Sequence, residues 1–221
     1  IVGDSRFDQV LERKLKTNNN FLPDEFIKSK NIIFGSYDDI DEALIISSLS
    51  NVYPNGDSDL VLNNHRLILV PHEVCQIKIN KCINILNDMN FNVVKFSEID
   101  KNKTPNLLLV DHVGILADLY RYAQLAYVGA GFRGGVHSVI EPGVHGCVVS
   151  FGPNIELLDE AKHIYNHNIG IMIHNKVDLE NFILLLNNVD SQDEKKVKFN
   201  NYILSQKDAS LRIIDFIESQ I

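Results

Sequence analysis

The stretch VGAGFRGGVHSVIEPGVHG, residues 128–146, decides how this chain is to be read. Gly129, Gly131 and Gly134 spell G-x-G-x-x-G directly behind the apolar run LAYV, the order in which a strand gives way to a phosphate-cradling turn. Where such a turn runs into a helix, unpaired backbone N–H groups at the positive end of the helix dipole offer a site for phosphate. Gly134 and Gly135 let the backbone approach an anion closely. Pro142 has no N–H to give and is best tolerated in a first turn, which predicts a helix opening near Ser138. Two readings of Ser138-Val139-Ile140-Glu141 then stand side by side. One is a capping box that closes the helix end. The other is a nucleotide site: the glycine N–H groups and Ser138 take the phosphate, His137 adds a donor, and Glu141, which would repel phosphate, turns to sugar hydroxyls.

A nicotinamide cofactor asks for more than the glycines. Its usual site has an acidic residue at the end of the next strand, about 20 residues past the first glycine. Here that region reads CVVSFGPN, without a carboxylate, and Glu141 comes too early. The motif also follows four strands instead of opening its domain. An NAD(P)-dependent oxidoreductase using Gly129, Gly131 and Gly134 is therefore an alternative the pattern disfavours. A third reading is a non-catalytic α/β binding module whose glycine loop is only a tight turn.

Outward from the loop, β-branched runs alternate with amphipathic ones, the signature of parallel strands joined by crossover helices. Strands are expected at residues 31–34, 67–70, 92–96, 107–110, 126–128, 148–151 and 170–173. Helices are expected between them, at 74–89 and 113–124, and after the last strand at about 179–187, 194–204 and 211–219. Turn-rich stretches at 17–20, 54–59 and 101–105 read as surface loops. None serves as a domain linker, so residues 1–221 are expected to form one α/β domain, a Rossmann-like parallel sheet flanked by helices.

Composition narrows the partners. A hydrophobic fraction of 45% with 23% charged residues is that of an ordinary globular protein, and no apolar run approaches the length of a membrane span. The net charge of -8 argues against a nucleic-acid partner, which would need clustered Lys and Arg. Three cysteines, Cys75, Cys82 and Cys147, fit neither a zinc site nor a disulfide framework and point to a reducing compartment. Cys75 and Cys82, seven apart, read as small apolar residues on one helix face. The first residue is Ile1 and no signal peptide is visible, so the chain is expected to be a piece of a longer protein.

Several motifs, in order along nearly the whole chain, resemble one family: GDSRFDQV from Gly3, FGSYDDIDE from Phe34, LVPHE from Leu69, VDHVGILADLYRYAQLAYVGAGF from Val110, then GGVHSVIEPGVHG and VSFGPN. The resemblance is to the 3-deoxy-D-manno-octulosonic acid (Kdo) transferases of lipopolysaccharide synthesis, specifically their C-terminal, donor-binding half. It implies a GT-B glycosyltransferase of two Rossmann-like domains. The donor would be CMP-Kdo and the acceptor a lipid A precursor, with inversion at the transferred sugar and neither cofactor nor bound metal. The catalytic base, the acceptor pocket and the membrane contact would belong to an N-terminal domain absent from this chain. The fragment alone would then be inactive and cytoplasmic, its parent enzyme lying at the cytoplasmic face of the inner membrane. Carried over residue by residue, the donor site would comprise Ser36 after the first strand, His72 and Glu73 after the second, and Gly114 near the cytosine. Gly131, Gly134, Gly135, His137, Ser138 and Glu141 would hold the phosphate and ribose. Three departures stand out: Ser138 where the family often has Asn, no Arg between Pro71 and His72, and Tyr37 in place of a common tryptophan.

Overall fold

The computed structural model describes residues 3–16, 22–100 and 104–219. The loop expected at 17–20 lies outside the described residues, as do 101–103 of the loop expected at 101–105.

All seven expected strands are present: β1 (Lys30–Tyr37), β2 (His65–Pro71), β3 (Val93–Lys95), β4 (Leu107–Leu109), β5 (Leu125–Val128), β6 (Val148–Phe151) and β7 (Ile171–Met172). Every pairing is parallel, in the order β3-β4-β2-β1-β5-β6-β7. Burial on both faces explains why the central strands read as unbroken apolar runs. Alternate residues of β1 supply opposite faces: Ile32 and Phe34 enter one core and Ile33 another.

The helices are α1 (Arg6–Lys16), α2 (Asp39–Val52), α3 (Asp57–Asn63), α4 (Gln76–Asp88), α5 (Leu116–Leu119), α6 (Ile140–Val144), α7 (Asp159–Asn166), α8 (Lys176–Leu184), α9 (Val189–Gln206) and α10 (Ala209–Glu218). The periodicity read for α4 is seen directly, with Ile79, Cys82 and Leu86 buried along one face. Cys75 is not within the helix; it is the N-cap residue, half-buried, because the helix starts one position after it. No described helix is long and apolar enough to cross a membrane.

Three expectations are corrected. The loop expected at 54–59 already contains the start of α3 at Asp57. The helix expected at 113–124 shrinks to the four residues of α5 and a 3-10 turn at Tyr120–Tyr122, with Gly114 ahead of it at φ +85°. The helix placed near Ser138 opens at Ile140, with Val139 as N-cap and no side chain capping it. Ser138 therefore lies one residue outside the cap, and the Ser138–Glu141 capping box does not form. The chain does contain a capping box, at the start of α2, between Asp38 and Asp41.

From β1 the sheet grows through β2 on one side and β5 on the other, so the strand order reverses between β1 and β5. Open α/β sheets bind ligands beyond the carboxyl ends of the strands at such a point.

Candidate functional site

At this reversal β1 ends in Gly35-Ser36-Tyr37, where the register with β2 slips and Ser36 sits at φ +52°. Asp38 and Asp39 then turn the chain into α2, and Asp41, fully buried, reaches back beneath the turn. Its carboxylate accepts the Asp38 N–H at 3.0 Å, the Tyr127 hydroxyl at 2.5 Å and the Ala130 N–H at 2.7 Å. Asp41 thus fastens the glycine loop to the end of β1. Burial and the adjacent Asp41 charge hold the Tyr127 phenol above its ordinary pKa, so it remains a donor. Sequence reading singled out Ser36 in FGSYDDIDE and passed over Asp41. The three-residue spacing from Asp38 to Asp41 signals a cap, but nothing local signals burial.

The glycines divide into two kinds. Gly129 and Gly131 are packing positions: a Cβ on Gly129 would overlap the Ser36 carbonyl, and one on Gly131 would come within 2.6 Å of the Gly152 nitrogen. The loop is sewn to the end of β6 by Asn154 N–H to Gly131 O (2.8 Å) and Val136 N–H to Asn154 O (3.2 Å). Gly134, by contrast, faces open space, and Gly135, at φ +107°, has only the Asn154 carbonyl oxygen within 4 Å of the place of a Cβ. Neither the Gly134 nor the Ser138 N–H is spent on a backbone carbonyl among the described residues, and both residues are exposed. The end of β6 reads Phe151-Gly152-Pro153-Asn154, so the carboxylate a nicotinamide ribose needs is missing there.

His72, just past β2, donates its backbone N–H to Tyr37 O at 3.0 Å. Its ring stacks on His137, with centroids 4.5 Å apart and planes at 21°, joining the β2 end to the glycine loop. Burial, then the neighbouring His72, pulls His137 below the ordinary histidine pKa, although Asp41 and Asp38 oppose the shift. The His137 Nε2 atom is buried without a hydrogen-bond partner. Glu73 is exposed and lies 3.8 Å from Lys78 Nζ.

Glu141 belongs to a second group. It is half-buried on α6, and its carboxylate makes no hydrogen bond among the described residues. Burial raises its carboxyl, the nearby Arg13 of α1 opposes this, and Asp118 of α5 adds to it. Arg13 in turn bonds Asp118 at 3.1 and 3.4 Å. Gly114 stands in the loop after β4, with nothing within 4 Å of the place a Cβ would take. Beside the His72–His137 stack, Tyr37, Asp38, Glu42, His72, Cys82 and Arg133 line a cavity of about 130 Å³. Among the described residues no three His, Cys, Asp or Glu side chains are grouped to hold a metal ion.

No protein-family model matches the sequence. Among curated proteins, the chain is 27% identical over 170 residues to the bifunctional glycosyltransferase/methyltransferase of Fusobacterium nucleatum, covering 72% of this chain and 26% of that one. It is 24% identical over 189 residues to the 3-deoxy-D-manno-octulosonic acid transferase of Rickettsia prowazekii, covering 83% of this chain and 39% of the relative. The chain therefore spans about a quarter to two fifths of the length of these relatives. Among solved structures, the C-terminal CMP-Kdo binding domain of WaaA from Acinetobacter baumannii superposes with a TM-score of 0.66 at 15% identity, over 90% of this chain and 96% of that domain. WaaG, a glycosyltransferase involved in lipopolysaccharide biosynthesis, superposes with a TM-score of 0.53 at 12% identity, over 96% of this chain and about half of its own. In sequence the chain is similar to the Kdo transferases, and its parallel sheet has the Rossmann-like fold seen in domains of GT-B glycosyltransferases.

Proposed function

We propose that this chain is the donor-binding domain of an inverting glycosyltransferase that moves Kdo from CMP-Kdo to a lipid A precursor in lipopolysaccharide biosynthesis. The observation that carries this reading is the turn between β5 and α6. It lies where the strand order reverses, is locked from below by Asp41, and leaves the Gly134 and Ser138 N–H groups unspent. Such fixed donors stabilise the charge that develops on the departing CMP phosphate, because they need no reorganisation when the bond breaks. With only five residues, α6 adds little dipole, so the work falls to the loop amides, the Ser138 hydroxyl and the His72–His137 pair. Glu141, set apart from the loop amides, accepts from the ribose hydroxyls, with Arg13 holding charge beside it. Gly114 lies toward the cytosine, and Ser36 and Glu73 line the approach at the ends of β1 and β2.

The base that activates the acceptor, the lipid pocket and the contact with the cytoplasmic face of the inner membrane are assigned to an N-terminal domain. The domain alone is then expected to bind donor nucleotide and to transfer nothing, and Kdo transfer by this chain alone would contradict that division. The test is ligand-dependent melting. CMP at about 100 times its Kd should stabilise the protein by about 2.7 kcal/mol, whereas NADH should leave the melting temperature unchanged. Glu141→Ala should weaken CMP binding about tenfold, with little change in melting without ligand. A shift with NADH and none with CMP would restore the oxidoreductase reading. No shift with either would leave a binding module of another kind.

A further inference from the structure

The cavity beside the His72–His137 stack has an unusual balance of charge. Lys78 at its rim is occupied, donating to both carboxylate oxygens of Asp39 at 2.9 and 3.2 Å. Arg133, projecting from the exposed part of the glycine loop, is not: among the described residues its guanidinium has no hydrogen-bond or ion-pair partner, although Asp39 feels its charge. Glu42, half-buried on α2, lines the same cavity. Tyr37 and Cys82 line it too, and the Glu42 charge acts on the Cys82 thiol. Burial pushes the thiol up to about 12, so it keeps its proton and adds no charge to the cavity. Among the described residues no hydrogen bond to the Glu42 carboxylate is made by a neighbouring backbone or charged group, so its oxygens can accept from a ligand.

A wall of carboxylates and a single open guanidinium suit few ligands. A phosphate dianion has no hydroxyl to donate, so Asp38 and Glu42 would only repel it. A neutral sugar would leave the guanidinium without a counterpart. A polyhydroxylated acid satisfies both, since its hydroxyls donate to the carboxylates and its own carboxylate accepts the planar fork of an arginine. Position agrees with chemistry, because His72 lines the cavity and also stacks on His137 of the loop assigned to the phosphate.

We propose that this cavity receives the sugar acid of the nucleotide donor, with Arg133 taking its carboxylate and Glu42 its hydroxyls. The proposal rests on the donor-domain reading and adds the residues that select an acidic sugar over a neutral one. Titration calorimetry with CMP and with CMP-Kdo tests it on the wild-type chain, Arg133→Gln and Glu42→Gln. Arg133→Gln should weaken CMP-Kdo about tenfold or more and CMP less than about twofold, the pattern of a lost charged hydrogen bond outside the nucleotide. Glu42→Gln should show the same selectivity with a smaller loss. Among the described residues the Arg133 guanidinium has no hydrogen bond or ion pair to lose, so its variant should melt with the wild type and carries the test even if Glu42→Gln folds poorly. Unchanged affinity for CMP-Kdo, or equal loss for both ligands, overturns the assignment and leaves the donor domain standing. A wild-type chain that binds neither ligand overturns both.

Discussion

Asp41 accepts three hydrogen bonds, from Asp38, Tyr127 and Ala130, while fully buried, so its removal is expected to be felt at every point it ties together. In Asp41→Asn one acceptor oxygen becomes an NH2 group facing donors, leaving at least one of them unsatisfied at a cost of about 2 kcal/mol. Urea denaturation should show that loss, whereas the exposed Asp39→Asn, whose ion pair with Lys78 lies in solvent, should leave the midpoint close to that of the wild type. Equal stabilities would mean that Asp41 does not hold the loop. The residue was visible in the sequence only as one acid in a run of them. Distinguishing it from Asp39 requires knowing that α2 turns its first-turn face toward β5, which is a tertiary fact. The glycines were legible as a spacing, yet two of them turn out to serve close packing and two open the loop, a division that depends on Ser36 at the end of β1 and on Gly152 and Asn154 beyond β6.

At the scale of elements, the strands were readable and the short helices were not. Strands buried on both faces show as continuous apolar runs whatever surrounds them, which is why β1, β2, β5 and β6 stand out in the sequence. Helices of four or five residues gain too little from their own hydrogen bonds to announce themselves, and are set by what they pack against. For α6 that neighbour is α9: a Cβ on Gly143 would overlap the Phe199 ring. Gly143→Ala should therefore cost about 2 kcal/mol, by overpacking. Phe199→Leu should relieve much of it in the double variant, a coupling that a thermodynamic cycle measures. Additive effects would show that α6 and α9 do not meet at this point.

Over the whole molecule, the alternating pattern of the sequence predicts the parallel sheet, and the reversal of strand order found within it, at β1 and β5, places the site before any side chain is considered. What the pattern did not disclose is the use of α1. GDSRFDQV resembles a family motif, and its residues prove to be fasteners. Arg6 donates to both oxygens of Glu160, a carboxylate only 3% exposed, at 2.9 and 2.8 Å. Lys14 donates to the Val144 carbonyl at the end of α6, at 2.7 Å. Asp8 accepts the backbone N–H groups of Asp208 and Ser210 at 2.8 and 2.7 Å, so the first helix caps the start of the last. These contacts are long-range, and their partners cannot be paired by reading along the chain.

The clasp made by Asp8 has a kinetic consequence. Because α1 touches both α6 and α10, neither it nor the last helix can lift away without stripping the other of partners. Slow exchange of amide protons for deuterium should then report α1, α6 and α10 as one cooperative opening, with shared free energy, instead of three helices fraying separately. A ligand seated on the glycine loop would slow exchange as far away as α10, a surface it never touches.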